Sequence, residues 1–162
     1  MDLLWIRSLH ILGAVVLLGT GLGTAFQLWS AGRSGSAPVV AEVAQAVVRA
    51  DWIFTTPAIL LQPITGLVLA LGLGHPLDAP WILATAGLYG IAGLCWPPVV
   101  WLQIKTARLA RRDAAAGQPL CAEARRLLRI WFWLGWPAFA AVLLILHLMV
   151  FRPESLGGGI LT

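Results

Sequence analysis

Charge is what this chain has least of. Asp, Glu, Lys and Arg make up 11% of its 162 residues, whereas soluble domains carry roughly 25%. A soluble surface cannot be covered by so few charges. Tyr occurs once beside nine Trp, the hydrophobic share is 59%, and the mean hydropathy is +0.85. The composition excludes an ordinary globular domain and points to an integral membrane protein. Cysteine is also scarce: Cys95 falls inside an apolar run and Cys121 at a basic boundary, which excludes a disulfide framework. Acidic residues number 7 against 11 basic ones. The length suits one domain by the usual scale of roughly 100–200 residues and holds about four spans of ~20 residues. That leaves no room for a Rossmann half, a P-loop module or a folded platform for nucleic acid.

Four stretches lack any Asp, Glu, Lys or Arg: 8–32, 52–77, 81–104 and 130–151. Each exceeds the ~18 apolar residues that mark a transmembrane helix. In hydrocarbon every backbone group must be satisfied within its own segment, so such runs are helices. The alternating short segments of a β-barrel are not visible. The first run is no signal peptide by pattern, because Met1-Asp2-Leu3-Leu4 is not basic and the apolar part outruns a ~7–15 residue h-region. The sequence therefore predicts an all-α, antiparallel four-transmembrane-helix bundle. It is a single domain over 1–162, with spans at about 4–30, 52–74, 81–104 and 130–151. Gly13, Gly19, Gly21 and Gly23 put small residues on helix one, a packing device in membranes and a face for self-association or a partner.

The segment 33–51 opens with Ser34-Gly35-Ser36-Ala37-Pro38 and continues as a helix-like stretch from Val39 to Arg49. Its apolar spacing suggests an interfacial or helix-extending element. Asp51 is expected to cap helix two, and Pro57 and Pro63 to kink it. Orientation follows from basic residues in short loops. Arg33, Arg49, Lys105, Arg108, Arg111, Arg112, Arg125, Arg126 and Arg129 fall on one side, and only Arg7 and Arg152 on the other. The basic side is expected in the cytoplasm and both termini outside, in a bacterial inner membrane, with lipid as the first partner.

All three histidines fall in the outer half under that topology. His10 lies ~7 residues into helix one, roughly 10 Å from its end, and His147 roughly 6 Å from the end of helix four. His75 is in the outer turn. Ionisable groups inside spans face the bundle interior by default, and the first and last helices of an up-down bundle are usually neighbours. His10 and His147 are thus expected to share an outer pocket, with Arg7 and Arg152 nearby. Three readings stay open. The first is a b-type haem, ligated by His10 and His147 with propionates on Arg7 and Arg152. The second is a copper ion on the same imidazoles. The third is a pair of structural histidines in a cofactor-free accessory protein. Trp5, Trp29, Trp52, Trp81 and Trp131 fall near span ends, where indoles anchor. A second polar set, Gln27, Asp51, Gln62, Gln103 and Lys105, is expected to face inward. It offers no relay of titratable groups through the span interiors, so proton pumping is not expected.

Several segments form a recognisable series: His10-Ile11-Leu12-Gly13-Ala14, Thr55-Thr56-Pro57-Ala58-Ile59-Leu60, Thr65-Gly66, Trp81, and Leu94-Cys95-Trp96-Pro97-Pro98-Val99-Val100. With them the chain resembles a family of bacterial four-helix integral membrane proteins of unknown function over nearly its whole length. The helix-one His, the Thr-Thr-Pro entry to helix two and the Trp of helix three more distantly resemble HemJ-type protoporphyrinogen oxidases and the CopD membrane domain. That likeness implies a haem-related role for His10. Two basic positions of HemJ-type chains are replaced here, by Gln27 and within Ile82-Leu83-Ala84-Thr85. The expectation is accordingly haem binding for a redox or electron-transfer step with a redox partner, and not protoporphyrinogen oxidation itself.

Overall fold

The computed structural model describes residues 2–153. In chain order they form α1 (Leu3–Ser34), α2 (Ala37–Ala50), a π-helical turn (Asp51–Thr55), α3 (Thr56–Gly72), α4 (Pro80–Ala115) and α5 (Ala122–Phe151), with no strand among the described residues. α2, the π turn and α3 are one continuous rod. Four rods result, Leu3–Ser34, Ala37–Gly72, Pro80–Ala115 and Ala122–Phe151, each long and apolar enough to cross a membrane. The fold is the all-helical bundle the sequence predicts. One end holds the start of α1, the turn 73–79 and the end of α5 (the far end). The other holds the two remaining turns and nine of the basic residues (the basic end).

A 36-residue rod is ~54 Å long at 1.5 Å per residue, well over the ~30 Å of a hydrocarbon core. The excess lies at the basic end, and so does the core. Leu28 and Ala31 of α1, Ala37, Val40, Ala41, Ala44 and Val47 of α2, Ala107 and Ala110 of α4, and Ala124, Leu127 and Trp131 of α5 are buried there. The α2 positions recur at helical spacing, one apolar stripe turned to the core. The connecting turns seal this core. The fully buried Leu120 is anchored by its N–H to the Gly35 carbonyl at 3.3 Å. Asp113 Oδ2 accepts the Cys121 N–H at 2.9 Å. Gly35 and Gly117 take φ of +66° and +64°, where only glycine is unstrained.

The far half is built differently. α3 lies along α1 and makes almost no contact with α4 or α5. No residue in the most hydrophobic stretch of α4 is buried. Lipid tails are as apolar as leucine, so nothing there drives apolar side chains together as it does outside the membrane. Polar groups and close backbone approach hold the rods instead. Pro63 has no N–H to give the Ile59 carbonyl four residues earlier, and the Tyr89 hydroxyl of α4 donates to that carbonyl. Pro57 would press its ring on the preceding turn, and the rod widens into the π turn just before it, a usual way of relieving such a clash.

Four expectations change. Asp51 is no cap: it sits inside the continuous rod, buried, with Oδ1 accepting from the Thr55 hydroxyl at 2.8 Å. The span interiors therefore do hold an ionisable group besides histidine. Gln27 is exposed rather than inward, because its position falls outside the buried stripe of Leu28 and Ala31. Trp131 is buried in the basic-end core instead of anchoring an interface, since α5 begins well before the membrane. Of the helix-one glycines, Gly13 is buried against Gln62, whereas Gly19, Gly21 and Gly23 face open space.

If Tyr89 carries the α3–α4 junction, Tyr89→Phe orphans the Ile59 carbonyl and lowers stability in detergent by about 1–3 kcal/mol. Thermal unfolding followed by circular dichroism measures it, and an unchanged midpoint would remove the hydroxyl from the account.

Candidate functional site

The α1–α3 seam is where the far half is most closely joined. Its contacts step along both helices in antiparallel register. Leu3 lies against Gly72, where a Cβ would come within 2.6 Å of Leu3 Cδ2. His10 lies against Thr65 and Gly66, and Gly13 against Gln62. The Gln62 amide donates to the His10 carbonyl at 2.8 Å. Small residues and polar side chains alternate across the seam, the composition of a membrane helix interface.

His10 is half-buried, and its ring is fixed from one side. Nδ1 lies 2.7 Å from Thr65 Oγ1. The Leu61 carbonyl lies 2.8 Å and the Gln62 carbonyl 3.2 Å from the same hydroxyl. Thr65 Oγ1 thus has His10 Nδ1 and two α3 carbonyls within reach of its one proton. The ring is tied at Nδ1 and Nε2 has no hydrogen-bond partner among the described residues, the arrangement of a metal-ligating imidazole whose other nitrogen is held by an outer partner. Gly66 makes the approach possible, because a Cβ there would stand 3.3 Å from His10 Cε1.

The other expected site residues lie elsewhere. His147 is exposed on α5, its ring stacked on Phe151 at 4.3 Å. No hydrogen bond or ring contact among the described residues joins it to His10. α1 and α5 do meet, but the close approach is at the basic end, where a Cβ on Gly32 would come within 3.0 Å of Leu128 Cδ1. Arg7 is exposed and enters no ion pair among the described residues. Arg152 closes the far end. Its Nη1 donates to His75 Nε2 at 3.4 Å, and its guanidinium lies 5.8 Å over the Trp81 ring. His75 in turn meets Trp81 edge-on at 5.4 Å. His75 thus has a part in tying the end of α5 to the turn 73–79.

Sequence reasoning found His10 but gave Thr65 and Gly66 no role, although both lie in the series that carries the family resemblance. Their signal was register: in an antiparallel pair joined through Gly13 and Gln62, His10 must fall opposite Thr65. Among the described residues no three His, Cys, Asp or Glu side chains gather closely enough to hold a metal ion.

The model of a family described as predicted integral membrane protein (DUF2269) matches residues 4–153, and the chain belongs to that family. No curated protein and no solved structure matches it.

Gly66→Ala tests the seam. The His10 ring must yield by a few tenths of an ångström, at a cost of about 1 kcal/mol, within the range for a tight overpacked contact. In a His10→Ala background the same change is neutral or stabilising, since Ala is the better helix former. A double-mutant cycle on thermal midpoints measures the difference, and equal costs in both backgrounds refute the contact.

Proposed function

We propose that this membrane protein binds a b-type haem through His10 Nε2 and serves a membrane redox or electron-transfer step. The observation that carries the reading is the 2.7 Å contact between His10 Nδ1 and Thr65 Oγ1, which holds the ring at one nitrogen and leaves Nε2 without a partner among the described residues. A porphyrin brings four equatorial nitrogens of its own, so one imidazole suffices to hold it. A copper ion would need further protein ligands gathered at His10, and the described residues supply no such group. This favours haem over the copper reading.

When bound, the haem would supply a one-electron iron couple. The chain's own part is to hold Nε2 still, through Thr65 and Gly66, and to surround it with hydrocarbon-facing side chains that keep water away. Arg7, one turn toward the far end from His10 on α1, is placed to meet a propionate near the membrane surface. Arg152 is engaged with His75 and Trp81, so the propionate role expected of it competes with a contact it already makes. His147, the second ligand expected, has separate surroundings, and the reading rests on His10. Basic residues at one end support an inner-membrane topology with that end in the cytoplasm.

Protein purified in detergent from haem-supplied cells is expected to show a Soret band that shifts on reduction. His10→Ala should abolish it, and Thr65→Val should retain haem with an altered reduction potential. Loss of the band in His147→Ala would mark a bis-histidine site, and its retention a mono-histidine one. Colourless wild-type protein sinks the haem reading. For topology, Cys121 in the basic-end turn should react with a membrane-impermeant thiol reagent only from the cytoplasmic side, and labelling from outside would reverse the orientation.

A further inference from the structure

We infer that a groove on α5 binds an anionic phospholipid of the leaflet at the basic end, with the phosphate on Arg129 and Arg126 and an acyl chain along Ile130, Trp133 and Pro137. The site shares no residue with the His10 site and stands or falls independently of the haem reading. The groove has a volume of about 450 Å³ and is lined by Arg129, Ile130, Trp133, Leu134 and Pro137, which recur at helical spacing along one face of α5. Apart from Arg129 the lining is hydrocarbon and indole.

The apolar bed is both uncovered and firm. Ile130 is 43% and Trp133 66% exposed. The Trp133 ring is nevertheless braced, edge-on to Phe132 at 5.7 Å, and Phe132 packs against the basic-end core. Pro137, an interior proline, bounds the groove where the helix ladder loses a donor. Depth fits a lipid as well. Arg129 is the last charged residue before the uncharged stretch 130–151, whose 22 residues span ~33 Å, about the thickness of a hydrocarbon core. The guanidinium therefore sits at headgroup level, and the groove runs ~12 Å from it into the acyl region.

Charge selects the occupant. Arg126 lies three residues before Arg129 and four before Ile130, on the face of the groove. Both arginines are exposed, and neither enters an ion pair. The pairs of the described residues are Lys105 with Glu123 and Arg112 with Asp113. Two guanidiniums offer forked donors that match phosphate oxygens, and the bed beside them accepts only apolar groups. That combination calls for an amphiphile with an anionic head. A zwitterionic lipid carries its own cation next to the phosphate, which the arginine pair disfavours. A second copy packed symmetrically on this face in the same orientation would set the two arginine pairs against each other.

The test is native mass spectrometry of the detergent-purified protein titrated with dioleoylphosphatidylglycerol or dioleoylphosphatidylcholine, which share acyl chains and differ in net charge. One phosphatidylglycerol per chain is expected at concentrations where phosphatidylcholine is not retained. Arg129→Gln should weaken the apparent affinity about tenfold, the effect of one lost charge-assisted contact. Trp133→Ala should weaken it too, which attraction to charge alone would not produce. Both side chains are exposed, so circular dichroism should show an unchanged fold. If either variant fails to fold, Arg126→Gln and Ile130→Ala carry the test. Arg111→Gln removes the same charge from α4, outside the groove lining, and should leave binding unchanged. The proposal is overturned if the two lipids bind alike, or if Arg111→Gln costs as much as Arg129→Gln. It is also overturned if glycerol 3-phosphate binds as tightly as the lipid, or if the face is covered by a dimer that Trp133→Ala dissociates and no lipid is retained.

Discussion

Polar groups that find their partners on a neighbouring helix decide where the rods touch in the far half. The Ile59 carbonyl, orphaned by Pro63, draws in Tyr89 and so fixes α4 against α3. The His10 carbonyl and ring draw in Gln62 and Thr65 and so fix α1 against α3. Apolar contact contributes packing there but little direction, because lipid offers the same contact everywhere. At the basic end the balance reverses. The rods outrun the membrane, water returns, and an alanine-, leucine- and valine-lined core forms between α1, α2, α4 and α5. The molecule is one bundle stabilised by two kinds of physics, divided roughly where its charges begin.

That division explains what the sequence could and could not show. The four rods were legible because an uncharged run of that length has only one stable form in a bilayer. The amphipathic stripe of α2, from Ala37 through Val47, was legible as helix-extending for the same periodic reason. Asp51 was misread because a carboxylate at the edge of an apolar run looks like a cap. Only the continuity of the helix through it reveals a buried acid. Trp131 was misread because span ends were taken from charge, whereas α5 starts well before the bilayer and buries its first turns in a soluble-like core. Gln27 was misread because a polar residue in a span was assumed to face inward, and its helical phase says otherwise.

The histidines show the limit of depth as a guide. Counting residues from the helix ends puts His10 and His147 at comparable heights, and height alone suggested a shared pocket. Which helices touch, and where, is set by side-chain register rather than by chain order. α1 meets α5 closely at Gly32 and Leu128 near the basic end. His10 meets α3 because Gly13, Gln62, Thr65 and Gly66 give that pair a close-packed seam. The same logic draws Arg152 and His75 together, since the end of α5 and the turn 73–79 share the far surface and both border Trp81.

Taken together, the chain places its two chemically distinctive groups on the same rod, Ala37–Gly72 or its immediate partner, in opposite halves. Thr65 of α3 holds the His10 ring at Nδ1, and Asp51 lies about four turns earlier in the π turn before Pro57. Between them lies the Ile59 carbonyl, orphaned by Pro63, which is the point where α4 grips α3. A change of ligation or charge at either group would act on a helix held near its middle by one hydroxyl, while the basic-end core holds its start. Tyr89 ties α4 to α3, and beyond α1 the α3 part of that rod has little other tertiary restraint.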